Sequence, residues 1–82
     1  MLRMGKQTKL TAEEVIAKAT AYFGPGGVGL TVRPTGPHAV EYVGGGGYVH
    51  VQAEPSEDES QTEIDIQSRE WEYDVRRFLK KL

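Results

Sequence analysis

The run of four glycines at positions 44–47 constrains this chain more than any other feature, because it separates two segments with strand-like alternation. Tight hairpin turns need positive φ angles, which glycine adopts without steric cost. Side chains alternate between the two faces of a strand, so only an even number of turn residues keeps the valines of both segments on one face. A two-residue turn at Gly45-Gly46 and a four-residue loop are both even. Either alternative places Glu41 opposite His50.

Helices are predicted at both ends of the chain. Thr11 can cap a helix through its hydroxyl, and Glu14 three residues later completes the pattern of a capping box. Apolar residues recur at helical spacing over 12–23, and Gly24-Pro25 predicts the end of this helix. Ser68 is the predicted cap of a second helix. The apolar stripe of that second helix consists of Trp71, Val75, Phe78, Leu79 and Leu82.

Four strands are predicted between the helices. They cover 29–33, 38–43, 48–53 and 62–67. This order predicts an α+β fold with the sequence α-β-β-β-β-α, in which both helices pack on one face of a four-stranded antiparallel meander as a two-layer sandwich. We expect residues 1–9 to be a flexible basic arm and residues 10–82 to form a single domain.

The predicted register places a histidine between two acidic residues. Pairing Val51 with Ile64 keeps the inner face apolar across the acidic loop and sets His50 opposite Asp65. With Glu41 on its other side, His50 could serve as an acid–base group, a metal ligand or a pH switch. The structural alternative is a solvated cross-strand charge pair, worth a few tenths of a kcal/mol to about one.

Charge is distributed unevenly along the chain. Nine acidic residues fall between Glu54 and Asp74 against one base, Arg69, and the formal net charge is −2. A nucleic-acid-binding domain usually has a basic face and a high pI, so a pI of about 5.6 argues against one. The basic residues near the C-terminus leave RNA contact as an alternative; they are Arg76, Arg77, Lys80 and Lys81.

Several other classes of site are not expected. The chain has no cysteine, so it can form neither a disulfide nor a thiolate zinc site. No segment has the roughly 20 apolar residues of a membrane span, and the first ten residues lack the apolar run of a signal peptide, so we expect a soluble cytoplasmic protein. Residues 24–29 match G-x-G-x-x-G, but they follow a helix and precede a strand, the reverse of a dinucleotide-binding loop. We therefore predict no cofactor and no metal.

The surfaces that remain favour a non-catalytic protein-binding or self-assembly module that uses the open face of the sheet, with a protein partner or a second copy of the chain. The candidate contact residues are Arg33, Glu41, Tyr48, His50 and Asp65, and the candidate flexible tip consists of Gly44, Gly45, Gly46 and Gly47. One alternative is a small-molecule binder with a hydrophobic cavity between the helices and the sheet, beside Trp71. The others are an enzyme that uses His50 with its two acidic neighbours and the RNA-contacting protein mentioned above.

Overall fold

A computed structural model describes all residues from Met1 to Leu82. Its elements in chain order are β1 (Leu2–Thr8), α1 (Ala12–Phe23), β2 (Thr31–Gly36), β3 (Ala39–Gly44), β4 (Gly47–Pro55), β5 (Thr62–Arg69) and α2 (Glu72–Lys80). The α+β class and the antiparallel sheet are confirmed. The sheet has five strands rather than four, in the spatial order β1-β5-β4-β3-β2, and the element order is β-α-β-β-β-β-α.

The additional strand is the segment that was expected to be a flexible arm. β1 pairs antiparallel with β5 along its full length, with Leu2 opposite Ser68 and Thr8 opposite Thr62. Its alternation is present in the sequence but weak, because Lys6 occupies a position on the same side as Leu2 and Met4. The expectation of an arm was therefore wrong, and these residues form one edge of the sheet.

α1 begins and ends where its sequence predicts. The Thr11 hydroxyl accepts a hydrogen bond from the Glu14 amide at 3.1 Å, and the Glu14 carboxylate accepts one from the Thr11 amide at 3.0 Å. These bonds form the capping box and lower the pKa of Glu14. At the other end the Gly24 amide donates to the Thr20 carbonyl, and the Val28 amide donates to the Tyr22 carbonyl. The glycine-rich segment 24–29 therefore closes a helix.

α2 begins four residues later than Ser68, its predicted cap. Ser68 instead lies inside β5, where its side chain is fully buried. The strand ends at Arg69, and Glu70 then takes a positive φ of 80°, which turns the chain toward the helix. Trp71 is the residue at the N-cap position. β5 is therefore two residues longer than predicted, and its alternation of buried and exposed side chains continues to Arg69.

One hydrophobic core joins the sheet to both helices. Alternate residues of β3, β4 and β5 are buried in it together with α1 residues such as Phe23 and α2 residues such as Phe78. The rings of Phe23 and Phe78 meet edge to face with their centroids 5.3 Å apart. Tyr42 is also fully buried, and its hydroxyl lies 2.9 Å from that of Thr20, so its polar group is satisfied inside the core. Burial raises the pKa of the Tyr42 phenol.

The hairpin of β3 and β4 has the predicted register. Glu41 lies opposite His50 and Gly44 opposite Gly47, so the turn contains two residues. Their φ angles, 61° at Gly45 and 80° at Gly46, are the positive values that the mirror-image hairpin turn requires. The two-residue alternative is therefore confirmed.

The register between β4 and β5 differs from the prediction by two residues. Val51 lies opposite Ile66 instead of Ile64, so His50 faces Gln67 and Asp65 faces Gln52. A shift of two keeps every side chain on its predicted face, because the side-chain period is also two. The apolar pattern alone therefore could not distinguish the two registers, and the predicted His50–Asp65 pair was wrong.

Candidate functional site

The candidate contact residues named from the sequence all lie on the outer face of the sheet. This is the face whose side chains alternate with the core residues. No residue of this face is buried. One row of opposed residues crosses all five strands. In spatial order the row reads Arg3, Gln67, His50, Glu41 and Arg33. The face is therefore polar at its centre and carries a cation at each end of this row.

The structure separates the predicted trio of His50, Glu41 and Asp65. The Glu41 carboxylate faces Arg33 with a 3.6 Å ion pair, and its side chain is 29% exposed. The Nε2 atom of His50 lies 3.2 Å from the hydroxyl of Thr35, which belongs to the edge strand β2. His50 and Glu41 remain opposite each other, but Asp65 has no part in this arrangement.

Asp65 is held by β1 instead. The guanidinium of Arg3 donates to both of its carboxylate oxygens, at 3.2 Å from Nε and 2.9 Å from Nη2. This fork raises the pKa of Arg3 through the hydrogen bonds and the carboxylate charge. Both side chains are exposed, 70% for Arg3 and 40% for Asp65, so the pair is screened by solvent. Sequence reasoning missed Arg3 because it did not place residues 2–8 in the sheet.

A small apolar patch lies beside these charges, at the hairpin end of the outer face. Val43 and Tyr48 face each other across β3 and β4, and Arg69 lies opposite Tyr48 on β5. Both Val43 and Tyr48 are half-buried although no helix residue of the core contributes to this face. An aromatic ring and a valine bordered by Arg, Glu and His side chains resemble the centre and rim of a protein interface.

A groove of about 510 Å³ lies at the end of the outer face where β2 turns into β3. The register of β2 against β3 shifts at this end of the sheet, between Pro34 and Gly36. The residues that line it are Thr35, Gly36, Pro37, His38, Ala39, His50, Gln52, Ala53 and Glu54. The His38 side chain turns to α1, where its Nε2 lies 3.1 Å from the Glu13 carboxylate. The groove therefore offers hydrogen-bonding groups from His50, Gln52 and Glu54 around an open depression.

The glycine tip is in contact with α2 rather than isolated from the molecule. The Trp71 indole donates a hydrogen bond to the Gly44 carbonyl at 2.9 Å. A Cβ at Gly45 would lie 2.5 Å from the Trp71 ring, and a Cβ at Gly47 would collide with the Arg69 carbonyl. Close approach therefore explains the glycines at 45 and 47, and the edge of the Trp71 ring lies against the hairpin.

An apolar groove of about 270 Å³ lies between the two helices. Its apolar lining comes from Ala21, Tyr22, Phe78 and Leu82, and Lys18 and Lys81 stand at its border. The Lys81 ammonium lies 5.1 Å from the centroid of the Tyr22 ring. Burial, together with the nearby Asp74 carboxylate, raises the pKa of the Tyr22 phenol. This groove lies between the helices and not between the helices and the sheet, where the alternative of a small-molecule binder placed a cavity.

No group of three or more histidine, aspartate or glutamate side chains is arranged to hold a metal ion. Neither helix is long and apolar enough to cross a membrane. No family model, curated protein or solved structure matches this chain. Any functional assignment therefore depends on the geometry of the surfaces described above.

Proposed function

We propose that this protein is a non-catalytic protein-binding module whose contact surface is the outer face of its sheet. The proposal treats the molecule as two layers, with both helices on the inner face and the outer face left for a partner. Its main support is the half-buried pair of Val43 and Tyr48 at the hairpin end of the outer face, next to the charged row that contains Glu41 and Arg33. Interfaces commonly have an apolar centre with a polar rim, and tyrosine is enriched among the residues that dominate binding energy.

The rim would supply specificity. Arg33 and Arg3 stand at opposite ends of the central row, and each already pairs with a carboxylate of the same face. A partner with acidic groups at matching positions would exchange these exposed pairs for interfacial ones, which mainly affects the rate of association and the choice of partner. We therefore assign Tyr48 the role of anchor and the charged residues the role of selecting the partner.

Site-specific photocrosslinking tests this proposal. A photoreactive phenylalanine analogue replaces Tyr48 in one variant and Tyr73, which is 70% exposed on α2, in the matched control. In extracts of the source cells, position 48 should crosslink to a discrete protein band that position 73 does not label. Excess unlabelled wild type should suppress the band, whereas excess Tyr48→Ala should suppress it at least tenfold less effectively. Equal labelling from both positions, or equal competition by the two competitors, would reject the proposal.

A second candidate is a binder of amphipathic anions in the groove between the helices. It is favoured by the apolar lining of that groove and by the two ammonium groups, from Lys18 and Lys81, at its border. Calorimetric titration with decanoate and with decanol separates the contribution of the ammonium groups from that of the apolar lining. Decanoate should bind more tightly than decanol, and Lys81→Met should remove the difference. Identical behaviour of the two ligands, or no binding of either, would exclude this candidate.

A further inference from the structure

The two edges of the sheet differ in how they are protected. An edge strand presents unpaired backbone groups that can accept another strand, and proteins commonly block them with proline or a bulge. The β2 edge has both, Pro34 and the irregularity between Pro34 and Gly36. The β1 edge is a regular strand of seven residues with no proline and an unbroken register against β5.

We propose that β1 pairs antiparallel with β1 of a second copy of this chain, so that two five-stranded sheets become one continuous sheet. The two-fold axis passes near Gly5, perpendicular to the sheet, and both outer faces point to the same side. This dimer is independent of the proposed role of Tyr48, because its hydrogen bonds come from the backbone of β1, whereas Tyr48 lies on β4. It would double the continuous area of the outer face.

Charge selects the register of this pairing. A two-fold axis perpendicular to the sheet pairs residues of the same face, so the central residue can be Met4, Gly5 or Lys6. Centring on Lys6 opposes that ammonium to its own copy and Arg3 to Lys9, and like charges directly opposite are destabilising. Centring on Met4 shortens the overlap. Centring on Gly5 uses the whole strand and pairs Leu2 with Thr8, Arg3 with Gln7, and Met4 with Lys6 of the second copy.

The charges of α2 agree with the same axis. α2 runs parallel to β1, because the Met1 amino group lies 3.7 Å from the Glu72 carboxylate and the Thr8 hydroxyl donates to the Leu82 carbonyl at 3.4 Å. The two-fold axis therefore places the α2 helices of the two copies antiparallel. The acidic start of one helix, at Glu72, then faces the basic end of the other, at Lys80.

Apolar side chains along this edge are left partly exposed to water, and a second copy would cover them. Leu2 and Met4 are only partly buried against the core, and Met1 is 90% exposed. Lys6 points inward on the same strand and could block an approaching strand. However, its ammonium donates to the Leu79 carbonyl at the end of α2, so the charge is already engaged within its own copy.

Gly5→Lys tests the dimer with little effect on the fold. A Cβ at Gly5 meets only the Ile64 carbonyl, at 3.5 Å, and the new side chain would extend from the exposed outer face. Across the two-fold axis, however, the two new ammonium groups repel. Sedimentation equilibrium of the wild type should show the mass rising with concentration from 9.1 kDa toward twice that value. Gly5→Lys should raise the dissociation constant at least tenfold, and the matched control Thr31→Lys on the β2 edge should leave it unchanged.

A cysteine pair gives a second readout that does not depend on repulsion. The chain has no cysteine, so Gly5→Cys introduces a single thiol that would face its own copy across the axis. Mild oxidation should convert most of Gly5→Cys to a disulfide-linked dimer, whereas Thr31→Cys should remain largely monomeric. A wild type that stays monomeric at millimolar concentration would overturn the inference. So would a dimer whose dissociation constant is the same in Gly5→Lys, or equal crosslinking of the two cysteine variants. None of these results bears on whether Tyr48 contacts another protein.

Discussion

Two tyrosines on neighbouring strands show how differently the two faces of this sheet are used. Tyr42 on β3 points inward, is fully buried and bonds to Thr20 of α1. Tyr48 on β4 points outward, is half-buried and faces Val43. The two residues have the same chemistry and similar strand positions. The inner face therefore contributes to the core, whereas the outer face is the one that we propose carries binding residues.

A large difference in stability is expected between substitutions at two adjacent residues of β5 that point to opposite faces. Ile66 is fully buried in the core, and Gln67 points to the outer face. Ile66→Ala should lower the free energy of unfolding by about 2–5 kcal/mol, because it removes buried methyl groups and leaves a cavity. Gln67→Ala should change it by less than about 0.5 kcal/mol. Urea denaturation followed by Trp71 fluorescence measures both, and similar losses in the two variants would contradict the division between faces.

At the glycine tip, where Trp71 contacts the hairpin, the two turn glycines can be compared with each other. Both Gly45 and Gly46 have positive φ, but only Gly45 lies against the Trp71 ring. Gly46→Ala should cost about 1 kcal/mol, for backbone strain alone. Gly45→Ala should cost about 1–3 kcal/mol more, because its methyl group must displace the ring.

Thermal unfolding of the two alanine variants provides the measurement, and a shift of the Trp71 emission spectrum in Gly45→Ala alone would locate the cause. Equal unfolding temperatures for the two variants would show that the tip is mobile enough to avoid Trp71. That result would favour the flexible tip expected from the sequence.

A smaller contrast is expected between two cations of β1 that point to opposite faces. The Lys6 ammonium bonds to the Leu79 carbonyl at the C-terminal end of α2, where a positive charge is favourable. Lys6→Met should therefore cost about 1 kcal/mol. Arg3→Met should cost less, because its pair with Asp65 is exposed, and 1 M salt should remove most of that cost. A loss in Arg3→Met that exceeds that in Lys6→Met would indicate that the outer face contributes to folding.

The smallest effect concerns the acidic loop between β4 and β5, which belongs to neither face. Hydrogen bonds from Ser60 and then Ser56 lower the pKa of Asp58 from 3.8 to about 2. Because the pKa is lower in the folded state, the stabilisation of this loop is complete above about pH 4. It is lost as the pH falls toward 2.

Amide shifts of Ser60 followed by NMR should report the Asp58 titration with a midpoint near pH 2. Asp58→Asn should abolish that transition while the core signals, such as those of Ile66, stay unchanged. A midpoint near the ordinary value of an aspartate would show that the Ser56 and Ser60 bonds do not persist in solution.

The assignment of residues to faces could be predicted from the sequence, because it depends only on a period of two. The glycine turn has an even length, so Glu41 and His50 were correctly paired. The register between β4 and β5 could not be predicted in this way, because shifts of two residues leave the pattern unchanged. The cross-strand partner of Asp65 therefore came out wrong.

The ion pair between Arg3 and Asp65 was not predicted, for a different reason. Arg3 lies on a strand whose inner face includes Lys6, and a charged residue at an inner position weakens the alternating pattern. The alternation of Leu2, Met4 and Thr8 was the available signal. The bond from Lys6 to the end of α2 joins residues distant in sequence, so local patterns could not reveal that the lysine is satisfied there.

If the outer face is the proposed contact surface, it is dispensable for folding and required for binding. The most direct measurement compares Tyr42→Ala with Tyr48→Ala, using urea denaturation and competition in the crosslinking assay. Tyr42→Ala should lose about 3–5 kcal/mol of stability. Tyr48→Ala should lose less than about 1 kcal/mol and still fail to compete for the partner. A Tyr48→Ala variant that unfolds as readily as Tyr42→Ala would show that the outer face is needed for folding, and one that competes as well as the wild type would show that Tyr48 does not bind the partner.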